Sequence, residues 1–260
     1  MEQYQEWQDR VSFKRPARDD FLDTITEHAR RSTSVCELGA GLGRIEYYLY
    51  DKLRDKTPRI VGLEYSQKHR DNAVTLMQKH YPNDRIEFVK GDAFDTGYED
   101  NTFDLVISSG LVEHFDTIRA LIAEHVRITK TGGTVIISVP SADTGDYHLR
   151  SKFMFPLLAK YHDPAYADWH HYGRRMTVGE LQALVRGANV EVLETKHYGE
   201  SYRLPWELIR IGKNMLRKPT RIRVGDLLRV LVVVLNIPLG FVARLLQRNG
   251  HSFFVVCRKH

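Results

Sequence analysis

Residues 34–140 alternate short apolar runs with longer amphipathic segments, and no other feature of the chain constrains its fold as strongly. The apolar runs read SVCEL, RIVGLEY, RIEFVKGD, FDLVISS and GGTVIISVP. Apolar strands that alternate with crossover helices form a parallel sheet covered on both faces. We therefore expect an α/β, doubly wound fold, with Gly132-Gly133 turning the chain into its fifth strand.

Two further strand-like runs, NVEVLETKHY and SFFVVCRK, lie nearer the C-terminus and predict a sixth and a seventh strand. Residues 141–176, before the sixth strand, are irregular and rich in aromatic residues and histidines. A capping pattern at Thr177 and Glu180 predicts a helix over residues 178–187. The predicted organisation is an N-terminal helical segment (1–33), a core (34–198) that contains the insertion 141–176, a basic amphipathic insertion (199–250) and a final strand (251–260).

The net charge of +5 is unevenly distributed along the chain. Residues 201–260 contain 12 Lys or Arg and only Glu207 and Asp226 as acids, whereas the first 200 residues carry 26 basic and 31 acidic side chains. A chain that is basic throughout favours nucleic acid as a partner. Positive charge confined to one segment instead predicts a local anionic partner, such as a phosphate, a lipid headgroup or an anionic membrane surface.

A glycine-rich turn, Gly39-Ala40-Gly41-Leu42-Gly43, joins the first predicted strand to the helix that follows it. Glycine lets a backbone turn tightly and approach a ligand closely, and the start of a helix offers unpaired N–H groups. The turn therefore favours a ligand site, although a tight strand–helix connection without a ligand is the plainer alternative.

Three acids stand at the ends of the first three predicted strands: Glu37, Glu64 and Asp92. In a doubly wound sheet, ligands bind at the carboxyl ends of the strands, and an acid in the position of Glu64 can bind both ribose hydroxyls of a nucleoside. Dinucleotide sites use G-x-G-x-x-G, whereas this turn reads G-x-G-x-G after Glu37. Because an acid there would repel a pyrophosphate, the pattern indicates a ligand with a cationic ammonium or sulfonium group.

At these residues the chain resembles the class I S-adenosylmethionine-dependent methyltransferases, over about residues 34–198 and again from Ser252. The resemblance implies a Rossmann-like seven-stranded sheet with an antiparallel last strand, helical insertions, and S-adenosylmethionine as the cofactor. It also implies a set of cofactor-binding residues: Glu37, Gly39, Gly41 and Gly43 for the methionine part, Glu64 for the ribose hydroxyls, Asp92 and Ala93 for the adenine edge with Phe94 as a stacking neighbour, and Ser108, Ser109 and Leu111 beneath the sulfonium. Tyr65, directly after Glu64, is a further expected cofactor-binding residue. The chain departs from the family pattern at Met176, where a phenylalanine is usual, and at Ala188-Asn189, where a Gly-Phe pair is usual.

The same resemblance implies in-line transfer of a methyl group from a sulfonium to a nucleophile. Because the sulfonium is reactive, alignment and desolvation of the two reactants can supply most of the catalysis. A hydroxyl nucleophile needs a base, and histidine titrates in the right range. The candidates are His114, after the fourth strand, and His170 and His171 in the insertion 141–176. Structural roles for these histidines stay open. No metal site is predicted, because the nearby His162, Asp163 and Asp168 lack a recognisable ligand spacing.

We expect a hydroxyl of a small or lipid-linked molecule as the acceptor, with an amine or a carboxylate less favoured. A protein or RNA acceptor that docks on the basic insertion is an alternative, and a cofactor-binding scaffold without catalysis is another. Nucleic acid is disfavoured, because Ser-Ser-Gly stands where many base methylases carry an Asn-Pro-Pro-aromatic motif. The residues 1–33 are expected to close over the cofactor as a lid, or else to anchor an added helix to the core.

Residues 226–246, DLLRVLVVVLNIPLGFVARLL, form the most apolar window of the chain. Arg229 and Arg244 make membrane spanning costly, and Pro238 should break or kink a helix. A buried packing helix and a membrane-surface element both fit this window. The polar N-terminus and two cysteines inside apolar runs predict a cytoplasmic protein. A location at the membrane periphery is the alternative that the basic apolar window leaves open.

Overall fold

A computed structural model describes residues 20–80, 85–143, 174–199 and 252–260. Its helices are α1 (Asp20–Ala29), α2 (Arg44–Leu53), α3 (Gln67–His80), α4 (Ile118–Ile128) and α5 (Val178–Arg186). Its strands are β1 (Ser34–Leu38), β2 (Arg59–Glu64), β3 (Ile86–Lys90), β4 (Phe103–Ser109), β5 (Thr129–Pro140), β6 (Val190–Tyr198) and β7 (Ser252–Lys259). Short 3-10 turns lie at Arg54–Lys56 and Val112–His114.

The seven strands form one sheet in the order β3-β2-β1-β4-β5-β7-β6. Strand β1 pairs in parallel with β2 on one side and with β4 on the other, and β3 and β5 extend this parallel part. The last strand is antiparallel. The predicted Rossmann-like α/β fold is therefore confirmed. The chain changes direction across the sheet at β1, between β2 and β4, where a doubly wound fold opens a crevice.

The central strands β1 and β4 lie in the buried core of the sheet. Val35, Cys36 and Leu38 on β1 are each fully buried, as are Leu105, Val106 and Ile107 on β4. Strands covered on both faces have continuous apolar sequences, which is why both were predictable to the residue. Both cysteines are buried and free, as expected for reduced thiols.

The fifth strand begins earlier than predicted, at Thr129, so the Gly132-Gly133 pair lies inside β5 and not before it. Phe103 of β4 pairs with Thr129, but Leu105 pairs with Thr134, so β5 bulges at the glycine pair. Gly132 has a φ of 76°. A Cβ at Gly133 would lie 2.8 Å from the carbonyl oxygen of Lys130. The pair therefore permits a bulge with close backbone contacts instead of a turn.

Asp104 joins the starts of β1, β4 and β5. Its Oδ2 accepts hydrogen bonds from the backbone N–H of Thr33 at 2.8 Å and of Ser34 at 3.0 Å, and its Oδ1 lies 2.6 Å from Nζ of Lys130. Burial acts to raise the pKa of Asp104, but the hydrogen bonds from Lys130 and Thr33 outweigh it and hold the pKa well below its ordinary value. The carboxylate therefore stabilises the edge of the sheet opposite the crevice.

Helix α1 lies within residues 20–33, the described part of the segment predicted as a lid. Its Phe21, Leu22 and Ile25 are buried, and the ring of Phe21 lies 5.4 Å from that of Phe254 on β7. The rest of that segment, residues 1–19, lies outside the described residues.

The contacts divide the chain into two units. The sheet and its helices belong mostly to the first. The described parts of the second are residues 140–143, 174–178, 197–199 and 252–253, in which Ser141 forms a parallel bridge with Met176. Asp143 accepts a hydrogen bond from the backbone N–H of Val178 at 2.8 Å, where helix α5 begins as predicted.

Most of both predicted insertions, including the apolar window 226–246, lies outside the described residues. Of the helices that the structure describes, none is long and apolar enough to cross a membrane.

Candidate functional site

The predicted site residues gather at one edge of the sheet, where the parallel strands β1 to β4 end. Glu37 lies next to the end of β1, Glu64 ends β2, Asp92 follows β3 by two residues and Ser109 ends β4. Because these strands are parallel neighbours, their carboxyl ends open onto one crevice.

The glycine turn is held against the end of β2. The backbone N–H groups of Gly39 and Ala40 donate to the carbonyl oxygen of Leu63 at 2.8 and 3.1 Å. Gly39, Gly41 and Gly43 have φ values of 78°, 57° and 77°, a region that residues with a side chain rarely adopt. Three left-handed residues in five let the chain reverse from strand to helix within the turn.

The three glycines face different surroundings. A Cβ at Gly39 would lie 2.8 Å from Cδ1 of Leu111, and one at Gly43 would lie 2.8 Å from Cε1 of Phe88. Around Gly41, a Cβ would meet no described atom within 4 Å. The first and third glycines therefore allow close packing, whereas Gly41 borders open space in which a ligand can approach the backbone.

Glu64 is buried and tied into the turn. Its Oε2 accepts a hydrogen bond from the backbone N–H of Gly41 at 2.8 Å, and its Oε1 accepts one from Ser66 at 2.8 Å. The Nδ1 atom of His69 lies 3.8 Å from Oε1. A carboxylate offers about four acceptor positions. Glu64 is thus oriented by two donors and retains capacity for the two hydroxyls of a ribose.

Glu37 lies beside a second buried acid, Glu46, in the first turn of α2. Glu37 is 4% exposed and Glu46 is fully buried. Among the described residues, Oε2 of Glu37 and both oxygens of Glu46 have no hydrogen-bond donor. Burial above all, then the nearby Glu46, raises the pKa of Glu37 well above its ordinary value, and burial raises the pKa of Glu46 to about 7. The sequence does not single out Glu46, because it falls on the apolar side of an ordinary amphipathic helix.

The loop after β3 places an aromatic pair beside Asp92 and Ala93. Oδ1 of Asp92 accepts a hydrogen bond from the backbone N–H of Phe94 at 2.9 Å, and Ala93 is buried. The ring of Phe94 meets that of Phe115 edge to face at 4.9 Å. Phe115, which the sequence analysis did not single out, thus joins the loops that follow β3 and β4. Tyr65, directly after Glu64, leaves 74% of its surface exposed.

The end of β4 approaches the glycine turn through Leu111, whose side chain packs on Gly39. Ser108 is fully buried, and its Oγ has no hydrogen-bond partner within the described ranges. Ser109 is partly exposed. This segment therefore borders the turn, where the resemblance implies that the sulfonium lies.

Glu113 and His114 lie in the 3-10 turn after β4. Glu113 is 4% exposed, its Oε2 has no donor among the residues described, and burial raises its pKa to about 7. His114 remains exposed as a whole, but partial burial of its ring lowers its pKa, opposed by a hydrogen bond with the Gly110 backbone. The structure thus adds Glu113 as a second group that can take up a proton near neutral pH. His170 and His171 lie outside the described residues.

The described residues fit S-adenosylmethionine. The buried, unpartnered Oε2 of Glu37 suits a cationic amino group, Glu64 retains acceptor capacity for a ribose, and the space at Gly41 allows close backbone approach. No group of three or more His, Cys, Asp or Glu side chains in the described ranges is arranged to hold a metal ion.

Comparison with known proteins identifies the domain. Residues 36–137 match a family described as a methyltransferase domain. The chain is 26% identical over 152 residues to the demethylmenaquinone methyltransferase of Oceanobacillus iheyensis, covering 55% of this chain and 63% of that protein. It is 32% identical over 108 residues to a probable chloroplastic tocopherol O-methyltransferase of Oryza sativa subsp. japonica, covering 42% of this chain and 29% of that protein. The matches thus span less than two thirds of either relative.

Solved structures share the fold. Phosphoethanolamine N-methyltransferase 2 of Haemonchus contortus, in complex with S-adenosyl-L-methionine, superposes with a TM-score of 0.61 at 16% identity, covering 92% of this chain and 52% of that one. The predicted methyltransferase domain is confirmed for residues 36–137, and this match supports S-adenosylmethionine as the cofactor.

Proposed function

We propose that this chain is an S-adenosylmethionine-dependent methyltransferase that acts on a hydroxyl of a small or lipid-linked acceptor. The observation that carries the proposal is the hydrogen bond by which Gly41 orients the carboxylate of Glu64 beside the open face of the glycine turn. The strand that leads into this turn, β1, carries the buried, unpartnered Oε2 of Glu37. Glu37 can pair with a cationic amino group and Glu64 can bind a ribose. The open face of Gly41 lets the ligand approach the main chain closely.

The chain's own residues supply binding and orientation. Glu64 and the backbone at Gly41 would fix the nucleoside end, Asp92 and Ala93 would contact the base, and Glu37 would pair with the ammonium group. When bound, S-adenosylmethionine supplies an electrophilic methyl group on a sulfonium. Alignment in a dry crevice then provides most of the rate, as expected for a reactive electrophile.

A hydroxyl acceptor must lose its proton as it is methylated, and we place that proton on a residue of the turn after β4. His114 presents an imidazole of lowered pKa, so it is neutral and able to accept a proton at pH 7. The Oε2 atom of the neighbouring Glu113 is a second acceptor. His170 and His171 remain candidates for the same role.

The choice of a small acceptor is supported by the names of the relatives. One acts on demethylmenaquinone and another is named a tocopherol O-methyltransferase, and neither name denotes a macromolecule. The basic segment 201–250 would then bring the enzyme to an anionic surface where a lipid-linked acceptor resides.

The test is transfer of a labelled methyl group from S-adenosylmethionine to a panel of phenols with apolar side chains, primary amines, transfer RNA and an unstructured peptide. Label in the phenol fraction supports the proposal, and label in RNA or peptide overturns the choice of acceptor. Binding of the cofactor without any labelled product would favour the non-catalytic scaffold. Glu64→Gln should abolish labelling, whereas Glu191→Gln, at an exposed carboxyl on β6, should not.

A further inference from the structure

Two acids share a buried position beneath the glycine turn. Glu37 on β1 lies opposite Gly62 of β2 in the strand register. Glu46 reaches the same point from α2, because a Cβ at Gly62 would lie 2.6 Å from its Oε1. The missing side chain at Gly62 therefore makes room for the carboxyl of Glu46 beside that of Glu37.

Few described groups can neutralise the negative charge of the Glu37–Glu46 pair. Three of its four carboxyl oxygens have no donor among the described residues, and Glu46 is fully buried. Among the described residues, the charged groups that act on the pair are Arg44 and Glu64, and the thiol of Cys36 feels the charge of both acids. Arg44 favours ionisation of Glu37, whereas Glu64 opposes ionisation of both acids. Burial raises the pKa of Cys36, so the thiol stays neutral.

Two neighbouring carboxyl groups in a buried site do not both ionise. Their negative charges repel each other, and burial removes the water that would stabilise them. A proton held by one of the two carboxyl groups would supply the donor that these oxygens lack. Below about pH 7 the free protein therefore holds at least one proton on this pair.

We infer that binding of the cationic cofactor expels a proton from the Glu37–Glu46 pair, so that Glu46 couples cofactor affinity to pH. This inference rests on the proposed function. The ammonium group of the ligand takes the place of the proton as the positive charge beside Glu37, and the proton leaves to solvent. Glu46 is here a positioning residue, since it acts on the ligand through Glu37.

The direction of the pH effect follows from linkage. The ligand binds best to the ionised pair, so the pKa of the pair is lower in the complex than in the free protein. Affinity should therefore rise with pH, by up to about tenfold per unit, until the pair is ionised in the free protein. This rise in affinity should end at about pH 7.5, because the α-amino group of the ligand loses its own positive charge with a pKa of about 7.7–8.0.

The test is calorimetric titration with S-adenosylhomocysteine, which keeps the amino acid part of the cofactor, at about pH 6.5 in two buffers of different ionisation enthalpy. We expect wild-type protein to release a proton, up to about one per bound ligand. Glu46→Gln should release almost none and should bind with an affinity that no longer depends on pH. Glu191→Gln, which removes an exposed carboxyl on β6, should behave like the wild type.

The possible results separate the two proposals. Binding without proton release in the wild-type protein overturns the inference and leaves the cofactor site intact. Absence of binding overturns the proposed function as well. If Glu46→Gln fails to fold, the wild-type proton count and its loss in Glu37→Gln decide the question.

Discussion

Alanine at Gly43 should mainly lower stability, whereas alanine at Gly41 should mainly weaken ligand binding, although the two residues stand two positions apart in one turn. Both have a positive φ, which costs a residue with a side chain about 1–2 kcal/mol, partly offset by about 0.4–1 kcal/mol from a stiffer unfolded chain. This backbone cost alone predicts a loss of about 1 kcal/mol in the free energy of unfolding at either site.

The surroundings of the new methyl group separate the two variants. At Gly43 the Cβ would overlap the ring of Phe88, and overpacking of this kind adds about 1–3 kcal/mol. At Gly41 it would meet no described atom within 4 Å, so packing adds nothing. Gly43→Ala should thus lose about 2–4 kcal/mol of stability, and Gly41→Ala about 1 kcal/mol.

Ligand affinity should show the reverse order, because Gly41→Ala places its methyl group where the cofactor approaches. We expect Gly41→Ala to bind S-adenosylhomocysteine at least about tenfold more weakly, equivalent to about 1.4 kcal/mol. Gly132→Ala is the matched control: it has a φ of 76° and open space among the described atoms, but it lies at the opposite edge of the sheet. Denaturant unfolding and calorimetric titration measure the two effects. Equal affinities for Gly41→Ala and Gly132→Ala would refute a ligand at Gly41.

Three further predictions concern other parts of the chain. Asp104→Asn should cost about 2 kcal/mol at neutral pH, because a charged acceptor of several hydrogen bonds is lost. Since the folded pKa of Asp104 is lowered, its contribution is present above about pH 4 and is lost as pH falls, so thermal unfolding of Asp104→Asn should depend less on pH below that value than unfolding of the wild type. His114→Ala should lower turnover with a hydroxyl acceptor while leaving the cofactor dissociation constant unchanged, and full turnover would exclude His114 as the base. The full chain should co-sediment with anionic vesicles more than with neutral ones, and equal recovery would contradict a surface role for residues 201–250.

The bounds of β1, β4 and β7 follow from the sequence because each is a short run dominated by apolar residues, with few polar residues inside it. The prediction of a turn at Gly132-Gly133 was wrong, because a glycine pair is equally compatible with a turn and with a bulge. Only the pairing of Phe103 and Leu105 with β5 distinguishes the two.

Within the site, the sequence locates the acids at strand ends, because position in a parallel strand determines the edge of the sheet. It does not locate Glu46 or Glu113, because their burial depends on contacts between elements. Glu46 occupies space that exists only because Gly62 stands opposite Glu37, and this register is not visible along the chain. Phe115 was missed for a similar reason, as its partner Phe94 lies on another loop.

A co-crystal structure with S-adenosylhomocysteine would test the central claim most directly. The account predicts ribose hydroxyls hydrogen-bonded to Glu64, the ligand backbone against Gly41, the amino group beside Glu37, and the base at Asp92 and Ala93. Exposed Tyr65 should become covered by the ligand. A ligand bound away from the carboxyl ends of β1, β2 and β3, with Glu64 still bonded only to Gly41 and Ser66, would contradict the assignment of this crevice as the cofactor site.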